Sequence, residues 1–521
     1  MTYYQESTRN LCSYLLKLPL MAWSATVALG AALAALLVWL RWRARNLRLL
    51  ELAARVPGPP ALPLLGNALL FMAKPNEQLK LVADIIAKYG EYVRFWLGPE
   101  LNIVVSNPED IKLILTSNKV TKKGPVYNFM IPMIGTGILT GGEHWRHCRK
   151  TVTPSYNKKA VAAFARVFNA EGADLARRLC ARDANSFDVF PEVVNTTTQC
   201  VCQTLMGLTK DDSMNLTNLN YVVSNTRRMY SFFFAKMTKW WLQVPLIYWI
   251  TGAQKVEDTM IKDFHILIKD IVDKRKNALE RNEGTEEEVR GIVDRLILNG
   301  DFTEQEIRNQ TLALFTTSQE AGAKIASAVL LYLAHLPEWQ DKVYNEILER
   351  LGPEDDFITD EHIKSLQYLD MVYKEVLRCM SIAAMIQRTV EEEITINSGK
   401  ITLPVGTSLA IPIHMLHRNP KYWPDPDKID PGRFLPENVE MRNPNAFVPY
   451  SLGPMDCLGR VYAIQMVKTL VVRTLRQVRL EADGRLEDLV LDVAISVSFS
   501  DGYRLRVYPR RPKNTRDRNI A

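Results

Sequence analysis

The hydrophobic pattern of the chain begins with an uncharged apolar run. It spans residues 18–40 and reads LPLMAWSATVALGAALAALLVWL. A helix needs about 20 apolar residues to cross a hydrocarbon core. A cluster of arginines follows, beginning with Arg41, and the positive-inside rule places that side in the cytosol. We predict a lumenal N-terminus at residues 1–17 and a transmembrane anchor at residues 18–40. A cleaved signal peptide and a buried core helix are the alternatives.

A proline-rich segment separates this run from the rest of the chain. It reads VPGPPALPLLGN from Val56 to Asn67, and its prolines cannot continue a helix. We predict that residues 41–67 form a basic, stiff hinge, which orients a cytosolic domain against the membrane.

Beyond the hinge, apolar residues recur mainly at helical spacing. Strand-like stretches are few and include Tyr92 to Trp96 and Leu101 to Val105. They are too few for an open parallel sheet. The pattern predicts a mainly α fold with a small β region over residues 68–509, and a basic tail at residues 510–521.

The composition and charge of the chain indicate which classes of binding partner to expect. The net charge is +7, and 47% of residues are hydrophobic, which is ordinary for a globular chain. Because the basic residues are scattered, we predict no nucleic-acid surface. A basic face toward an anionic membrane or an acidic redox partner fits better. The seven cysteines are irregularly spaced, which favours a reducing compartment over a disulfide framework.

The chemistry of the chain centres on one cysteine. Cys457 lies in PYSLGPMDCLGRVYAIQMVKTLVV, where glycines and prolines predict an irregular loop and helical spacing starts at Arg460. The start of a helix favours a thiolate. A lone thiolate between glycines suits an axial haem ligand. From the loop alone, a buried structural cysteine is an equal alternative.

The loop resembles the haem-ligand signature of cytochromes P450, F-x-x-G-x-R-x-C-x-G. Its frame is matched by Tyr450, Gly453, Cys457 and Gly459, with Tyr450 in place of the phenylalanine. The arginine of the signature, which contacts a haem propionate in the family, is replaced by Met455. This is a departure from the family at a cofactor contact.

Further family motifs occur in the expected order. KEVLR supplies Glu375 and Arg378, and DPGRF supplies Arg433. The resemblance implies that these three residues form a buried Glu-Arg-Arg network beneath the haem. An ordinary surface ion pair is the alternative for an isolated E-x-x-R.

Two motifs are expected to contact the haem propionates. GEHWRHCRK supplies Trp145 and Arg149 in the W-x-x-x-R pattern of the family, and Arg388 aligns with another propionate-binding arginine. The resemblance implies charge-assisted hydrogen bonds from these side chains.

The resemblance runs from the anchor to about Pro509. Within the family, the chain resembles animal microsomal family-four enzymes, which often hydroxylate fatty acids. It implies haem b on Cys457 and insertion of one oxygen atom from O2 into a lipophilic substrate. Electrons are expected from NADPH through NADPH-cytochrome P450 reductase, with cytochrome b5 as a further candidate donor. The expected location is the endoplasmic reticulum membrane, single-pass, with a cytosolic catalytic domain.

The oxygen-activating helix departs from the family pattern. Alignment places the expected acid at Glu320, which we predict to be catalytic, but the usual threonine is Ala321. Three interpretations follow. Another hydroxyl, from Thr316, Thr317 or Ser318, sustains monooxygenation; or the enzyme is an isomerase or dehydratase of lipid hydroperoxides; or the protein is a haem-binding pseudoenzyme.

Two more stretches bear on the chemistry. Some family-four members esterify a glutamate at the position of Thr317 to the haem, so we predict non-covalent haem. The segment after Arg378 carries Ser381, Ile382 and Ala384 where the family usually shows prolines. The aromatic and basic segment from Met229 to Ile250 falls where the family approaches the bilayer, although an ordinary core helix is an equal alternative.

Overall fold

The computed structural model describes residues 29–30, 33–34, 36–281, 286–352 and 357–510. The predicted lumenal N-terminus, most of the predicted anchor and residues 511–521 of the predicted tail lie outside the described residues. Within the described ranges, no helix is both long and apolar enough to span a membrane.

Helices make up most of the described chain. Residues 36–45 are helical, and the α-helices that follow are Leu47–Ala54, Gln78–Tyr89, Pro108–Thr116, Ile131–Ile134, Trp145–Val152, Lys158–Cys180, Phe190–Gln203, Lys210–Met214, Leu219–Thr238, Pro245–Ile250, Ala253–Glu280, Ile292–Asn299, Glu304–His335, Pro337–Leu351, Asp360–Ser365, Gln367–Cys379, Ile413–Leu416, Pro436–Met441 and Arg460–Gln477. Short 3₁₀ turns include Pro125–Met130, Thr153–Tyr156, Pro431–Phe434 and Gly453–Met455.

The strands are short and mostly antiparallel. They are β1 Tyr92–Leu97, β2 Glu100–Val105, β3 Lys122–Lys123, β4 Phe187–Asp188, β5 Ile386–Thr389, β6 Ile394–Ile396, β7 Ile401–Leu403, β8 Ser408–Ile411, β9 Val478–Ala482, β10 Leu491–Val493, β11 Val497–Phe499 and β12 Arg504–Pro509. The prediction of strands at β1 and β2 is confirmed.

The largest sheet positions side chains near the Cys457 loop. Its order is β1-β2-β8-β5-β3, with β2 and β8 parallel and the other neighbours antiparallel. The register of β3 against β5 places Lys123 directly opposite Arg388. The remaining sheets are β4-β12-β9 and the hairpins β6-β7 and β10-β11.

The helix Glu304–His335, here called the central helix, runs through the core. Thr303 begins it with a reciprocal cap, since its hydroxyl accepts from the Glu306 N–H and the Glu306 carboxylate accepts from the Thr303 N–H. From residue 310 onward the helix is mostly buried because it packs on Phe190–Gln203 and on Arg460–Gln477. The predicted helix after Cys457 is confirmed as Arg460–Gln477, which packs on Lys158–Cys180.

Candidate functional site

The backbone of the Cys457 loop requires a glycine at position 453. Gly453 has a φ of +74°, and a Cβ added there would lie 2.0 Å from the Leu115 carbonyl oxygen, so a side chain does not fit. The Cys457 N–H donates to the Tyr450 carbonyl at 2.8 Å. These contacts fix the loop around Cys457. Gly459 follows two residues later, and the helix Arg460–Gln477 begins directly after it.

The thiol of Cys457 lies among protein atoms although the residue is exposed. The residue has exposed surface, yet desolvation by surrounding protein raises the pKa of its thiol. The Gly459 N–H and the cations Arg149 and Arg460 oppose that rise. From this combination we infer that the thiol borders an internal cavity. These groups favour the thiolate, the form that binds a metal, but burial outweighs them and the pKa of the thiol remains raised.

The central helix borders the same cavity. From residue 310 to residue 334 every position is buried except Thr317, Ser318 and Ala321, which share one face of the helix. The Tyr156 hydroxyl hydrogen-bonds Ser318, and burial together with the nearby Cys457 raises the pKa of Tyr156. Tyr156 thus joins the central helix to the Cys457 loop.

A cluster of cations borders the cavity on another side. Arg149 Nη1 donates to the Asp456 carbonyl at 2.8 Å and Nη2 to Asp456 Oδ1 at 2.6 Å. Arg388 on β5 is 2% exposed. Burial, Arg388 and Arg149 together hold the pKa of Lys123 well below its usual range, while the charge of Cys457 opposes that shift. The predicted residue Trp145 is buried one turn before Arg149 on the same helix.

Glu375, Arg378 and Arg433 lie together in the structure. Arg378 donates through Nε and Nη2 to the two carboxylate oxygens of Glu375, at 2.7 and 2.8 Å, with both side chains fully buried. Arg433 Nε lies 3.8 Å from Glu375 Oε1. The remaining donors of Arg378 reach backbone carbonyls, including that of Pro426 at 2.7 Å. The group ties the helix Gln367–Cys379 to the loop that carries Arg433.

Ser381 has a structural partner in place of the usual proline. Its hydroxyl lies 3.0 Å from His417 Nδ1, and the Val448 N–H donates to His417 Nε2 at 3.0 Å. Burial, with Arg378 as a further cause, lowers the pKa of His417 to about 3. His417 is therefore neutral and joins Ser381 to the segment that leads into the Cys457 loop.

Glu320 makes contacts away from the cavity that Cys457 borders. Its carboxylate lies 2.5 Å from Lys324 Nζ, and both side chains are nearly inaccessible to solvent. Lys324 Nζ donates to Ser496 Oγ at 2.6 Å, and that hydroxyl lies 3.1 Å from both oxygens of Glu320. Ser496 lies between β10 and β11, beside a cavity of about 260 Å³ that Glu320 also lines. The predicted catalytic acid is thus engaged in an ion pair beneath this hairpin.

Comparison with known proteins decides the family. A cytochrome P450 family model matches residues 56–493. The chain belongs to the cytochrome P450 family. It is 29% identical to cytochrome P450 4c3 of Drosophila melanogaster over 516 residues, covering 92% of this chain and 94% of that protein. It is 27% identical to cytochrome P450 4V2 of Homo sapiens over 517 residues, covering 94% and 97%.

These findings confirm the predicted resemblance to family-four P450s and the predicted mainly helical P450 fold with small sheets. The protein is a monooxygenase of the oxidoreductase class. Membership of the family also implies a haem whose iron is bound by a cysteine thiolate.

The residues of this P450 fit a haem. Cys457 lies near Arg149 and near Tyr156, the partner of Ser318 on the central helix, and its thiolate would hold the haem iron. The cations Lys123, Arg149 and Arg388 border the cavity at Cys457, which suits a group with two carboxylates. Met455 supplies no charge to this cluster.

Sequence reasoning missed several residues at these sites: Lys123, Tyr156, Lys324, Asp456 and Ser496. Lys324 had a detectable signal, since it is charged within the apolar stretch that follows Glu320. The others lie in ordinary polar or aromatic contexts, and only their partners in the fold distinguish them.

Proposed function

We propose that this P450 inserts one oxygen atom from O2 into a lipophilic substrate, with fatty acids or related lipids as the substrate class. Cys457 would hold the iron of a non-covalently bound haem b, which would supply the oxygen chemistry. The observation that supports the proposal is the thiol of Cys457, which is exposed although protein surrounds it. It lies near Tyr156, whose hydroxyl bonds Ser318 on the central helix.

The remaining predicted site residues receive supporting roles in this proposal. Trp145, Arg149 and Arg388 contact the haem propionates. Tyr450, Gly453 and Gly459 shape the loop that presents the thiolate. The buried group of Glu375, Arg378 and Arg433 holds its own segments together, because removing one member of a buried charged group leaves the others uncompensated.

Proton delivery is assigned to hydroxyl groups on the cavity face of the central helix. Ala321 lacks the usual hydroxyl, but Thr317 and Ser318 share its partly exposed face, and Tyr156 hydrogen-bonds Ser318. The hydroxyls of Thr316 and Thr317 donate to the backbone carbonyls of Leu312 at 2.9 Å and Ala313 at 2.7 Å, respectively. Thr316 is buried, whereas Thr317 lies on the partly exposed face. We therefore place proton transfer on Thr317 and Ser318 and water, and not on Glu320, which is paired with Lys324.

The membrane and partner assignments rest mainly on the sequence. Residues 18–40 are the proposed anchor in the endoplasmic reticulum membrane, with residues 41–67 as hinge and a cytosolic catalytic domain. Exposed apolar side chains on the helix Pro245–Ile250 support contact with lipid, since Leu246, Trp249 and Ile250 are 63%, 68% and 66% exposed. NADPH-cytochrome P450 reductase is the proposed electron donor, with cytochrome b5 as a further one.

An isomerase or dehydratase of lipid hydroperoxides is the second candidate function. It is favoured by the absence of a hydroxyl at Ala321 together with the pairing of Glu320 to Lys324. Such rearrangements need no external electrons, so they do not require a proton relay for reductive oxygen activation.

One set of measurements tests these proposals. The reduced protein with carbon monoxide should show the absorption of a thiolate ligand, and Cys457→Ala should abolish it; persistence of the signal would refute the ligand assignment. The parent is then incubated with a fatty-acid panel, reductase and NADPH, or with lipid hydroperoxide alone. Product that requires NADPH supports the monooxygenase. Product from hydroperoxide alone supports the isomerase, and bound haem without any turnover supports a pseudoenzyme.

A further inference from the structure

A second cavity, here called the lateral cavity, has a volume of about 530 Å³. Residues of the helices Lys158–Cys180, Gln367–Cys379 and Arg460–Gln477 line it. Among the described residues, its wall shares none of the groups placed above around Cys457 and Ser318. Sites for small organic ligands have volumes of about 300–1,000 Å³. The lateral cavity is therefore large enough for such a ligand and separate from the haem site.

Apolar side chains form much of the wall of the lateral cavity. They include Val161, Met371, Leu435, Val461 and Ile464. Val161 and Met371 are buried, whereas the other three are partly buried. Because moving apolar surface out of water is favourable, this wall suits a ligand with an apolar body.

Most charges on the wall already have a partner on the wall. Lys468 Nζ donates to Asp370 Oδ1 at 2.6 Å, and the Lys468 side chain is 4% exposed. Lys364 pairs with Asp360 on the same short helix. The remaining charged residue of the wall, Lys158, is exposed. A charged ligand would compete with these pairs, so the wall favours an uncharged one.

Gln465 provides a polar group beside the apolar wall. It lines the lateral cavity and is 2% exposed, and its Nε2 has no hydrogen-bond partner among the described residues. A buried polar group without a partner costs free energy. Val461 precedes it by four residues and therefore shares its face of the helix. The cavity thus combines an amide that lacks a partner with an adjoining apolar surface.

We propose that the lateral cavity binds an uncharged alcohol with an apolar chain. The hydroxyl bonds the amide of Gln465, and the chain lies along the apolar wall. A hydroxyl both donates and accepts, so it can bond either end of the amide, whereas a carboxylate or a ketone only accepts. This site does not depend on the haem chemistry proposed above.

Photolabelling of the haem-loaded, full-length protein tests the proposal. The probe is dodecanol that carries a diazirine in its chain, and the labelled peptides are identified by mass spectrometry. Label should fall on the three helices that line the lateral cavity. Unlabelled dodecanol should compete with the probe there, and dodecanoate should compete more weakly. Label confined to the central helix, or equal competition by dodecanoate, would overturn the proposal.

Two variants on one helix supply the matched comparison. Ala162 and Ala163 are adjacent and exposed, but only Ala162 lines the lateral cavity. Ala162→Trp should abolish the labelling because the indole occupies space that the chain needs. Ala163→Trp should be labelled as the parent is. Equal labelling of the two variants would overturn the proposal.

Gln465→Met tests the hydrogen bond separately. The substitution replaces an amide that lacks a partner with an apolar side chain of similar length, so it should cost little stability. The concentration of probe needed for half-maximal labelling should rise about fivefold, because one hydrogen bond is lost. An unchanged concentration would refute the role of Gln465 and, with it, the choice of an alcohol.

Discussion

The buried pair of Glu320 and Lys324 leads to a prediction with a measurable size. Lys324→Met leaves the Glu320 carboxylate, 3% exposed, with Ser496 as its remaining partner. Breaking a buried ion pair by removing one member costs about 3–5 kcal/mol. Burial lowers the pKa of Lys324 while Glu320 opposes that shift, so each charge depends on the other.

A double-mutant cycle measures that dependence. We expect Glu320→Gln and Lys324→Met each to lower the free energy of unfolding by about 3 kcal/mol. The double variant should lose much less than their sum, with a coupling energy of about 2 kcal/mol, because neither charge is then left unpaired. The assay is urea unfolding of the haem-loaded protein, followed by tryptophan fluorescence.

The exposed pair of Lys269 and Asp273 provides the control. It has the same four-residue spacing on a helix, but its side chains are 58% and 38% exposed. Lys269→Met should change the free energy of unfolding by about 0.5 kcal/mol or less. Equal effects of Lys269→Met and Lys324→Met, or additivity in the cycle, would refute the reasoning.

Three further predictions concern the site. His417 has a folded pKa of about 3, below its ordinary 6.5, because it is buried. Between pH 6.5 and pH 3 the unfolded chain therefore binds a proton at His417 that the folded protein does not, so the free energy of unfolding should fall by about 1.4 kcal/mol per pH unit as the pH drops. The unfolding midpoints of His417→Gln should depend less steeply on pH, and an unchanged slope would contradict this. Gly453→Ala should prevent normal haem loading, measured by absorbance, because its Cβ would clash with Leu115. Gly484→Ala is the control and should load haem normally, because Gly484 has a φ of +81° but open space around it. Equal loading of the two variants would contradict this prediction. Ala321→Thr should raise the product formed per NADPH consumed if a missing hydroxyl limits oxygen activation, and unchanged coupling would indicate that Thr317 and Ser318 already suffice.

The local sequence pattern was enough to predict several elements of the fold. Strand-like stretches predicted β1 and β2, and helical spacing predicted the helix after Cys457, because these elements depend on neighbouring residues. The spacing of E-x-x-R predicted that Glu375 and Arg378 share a helix face. Family motifs then predicted Arg433 as their partner, although it lies far along the chain, and the structure brings the three side chains together.

Long-range pairing limited what could be predicted about the site. The residue type of Glu320 indicates an acid, but its partners Lys324 and Ser496 decide whether that acid is available. Ser496 is 176 residues from Glu320 and carries no motif. A carboxylate at that position of the central helix can face either an internal cavity or a neighbouring hairpin, and only packing selects between them.

The sequence by itself determined the family, the candidate thiolate at Cys457 and the departures at Ala321 and Met455, because motif spacing and residue identity are local properties. The tertiary structure alone decided that Lys123 opposes Arg388 and that Glu320 pairs with Lys324 and Ser496. Those relations depend on strand register and on helix packing. Their energies come from burial, which brings distant charges together where water screens them poorly.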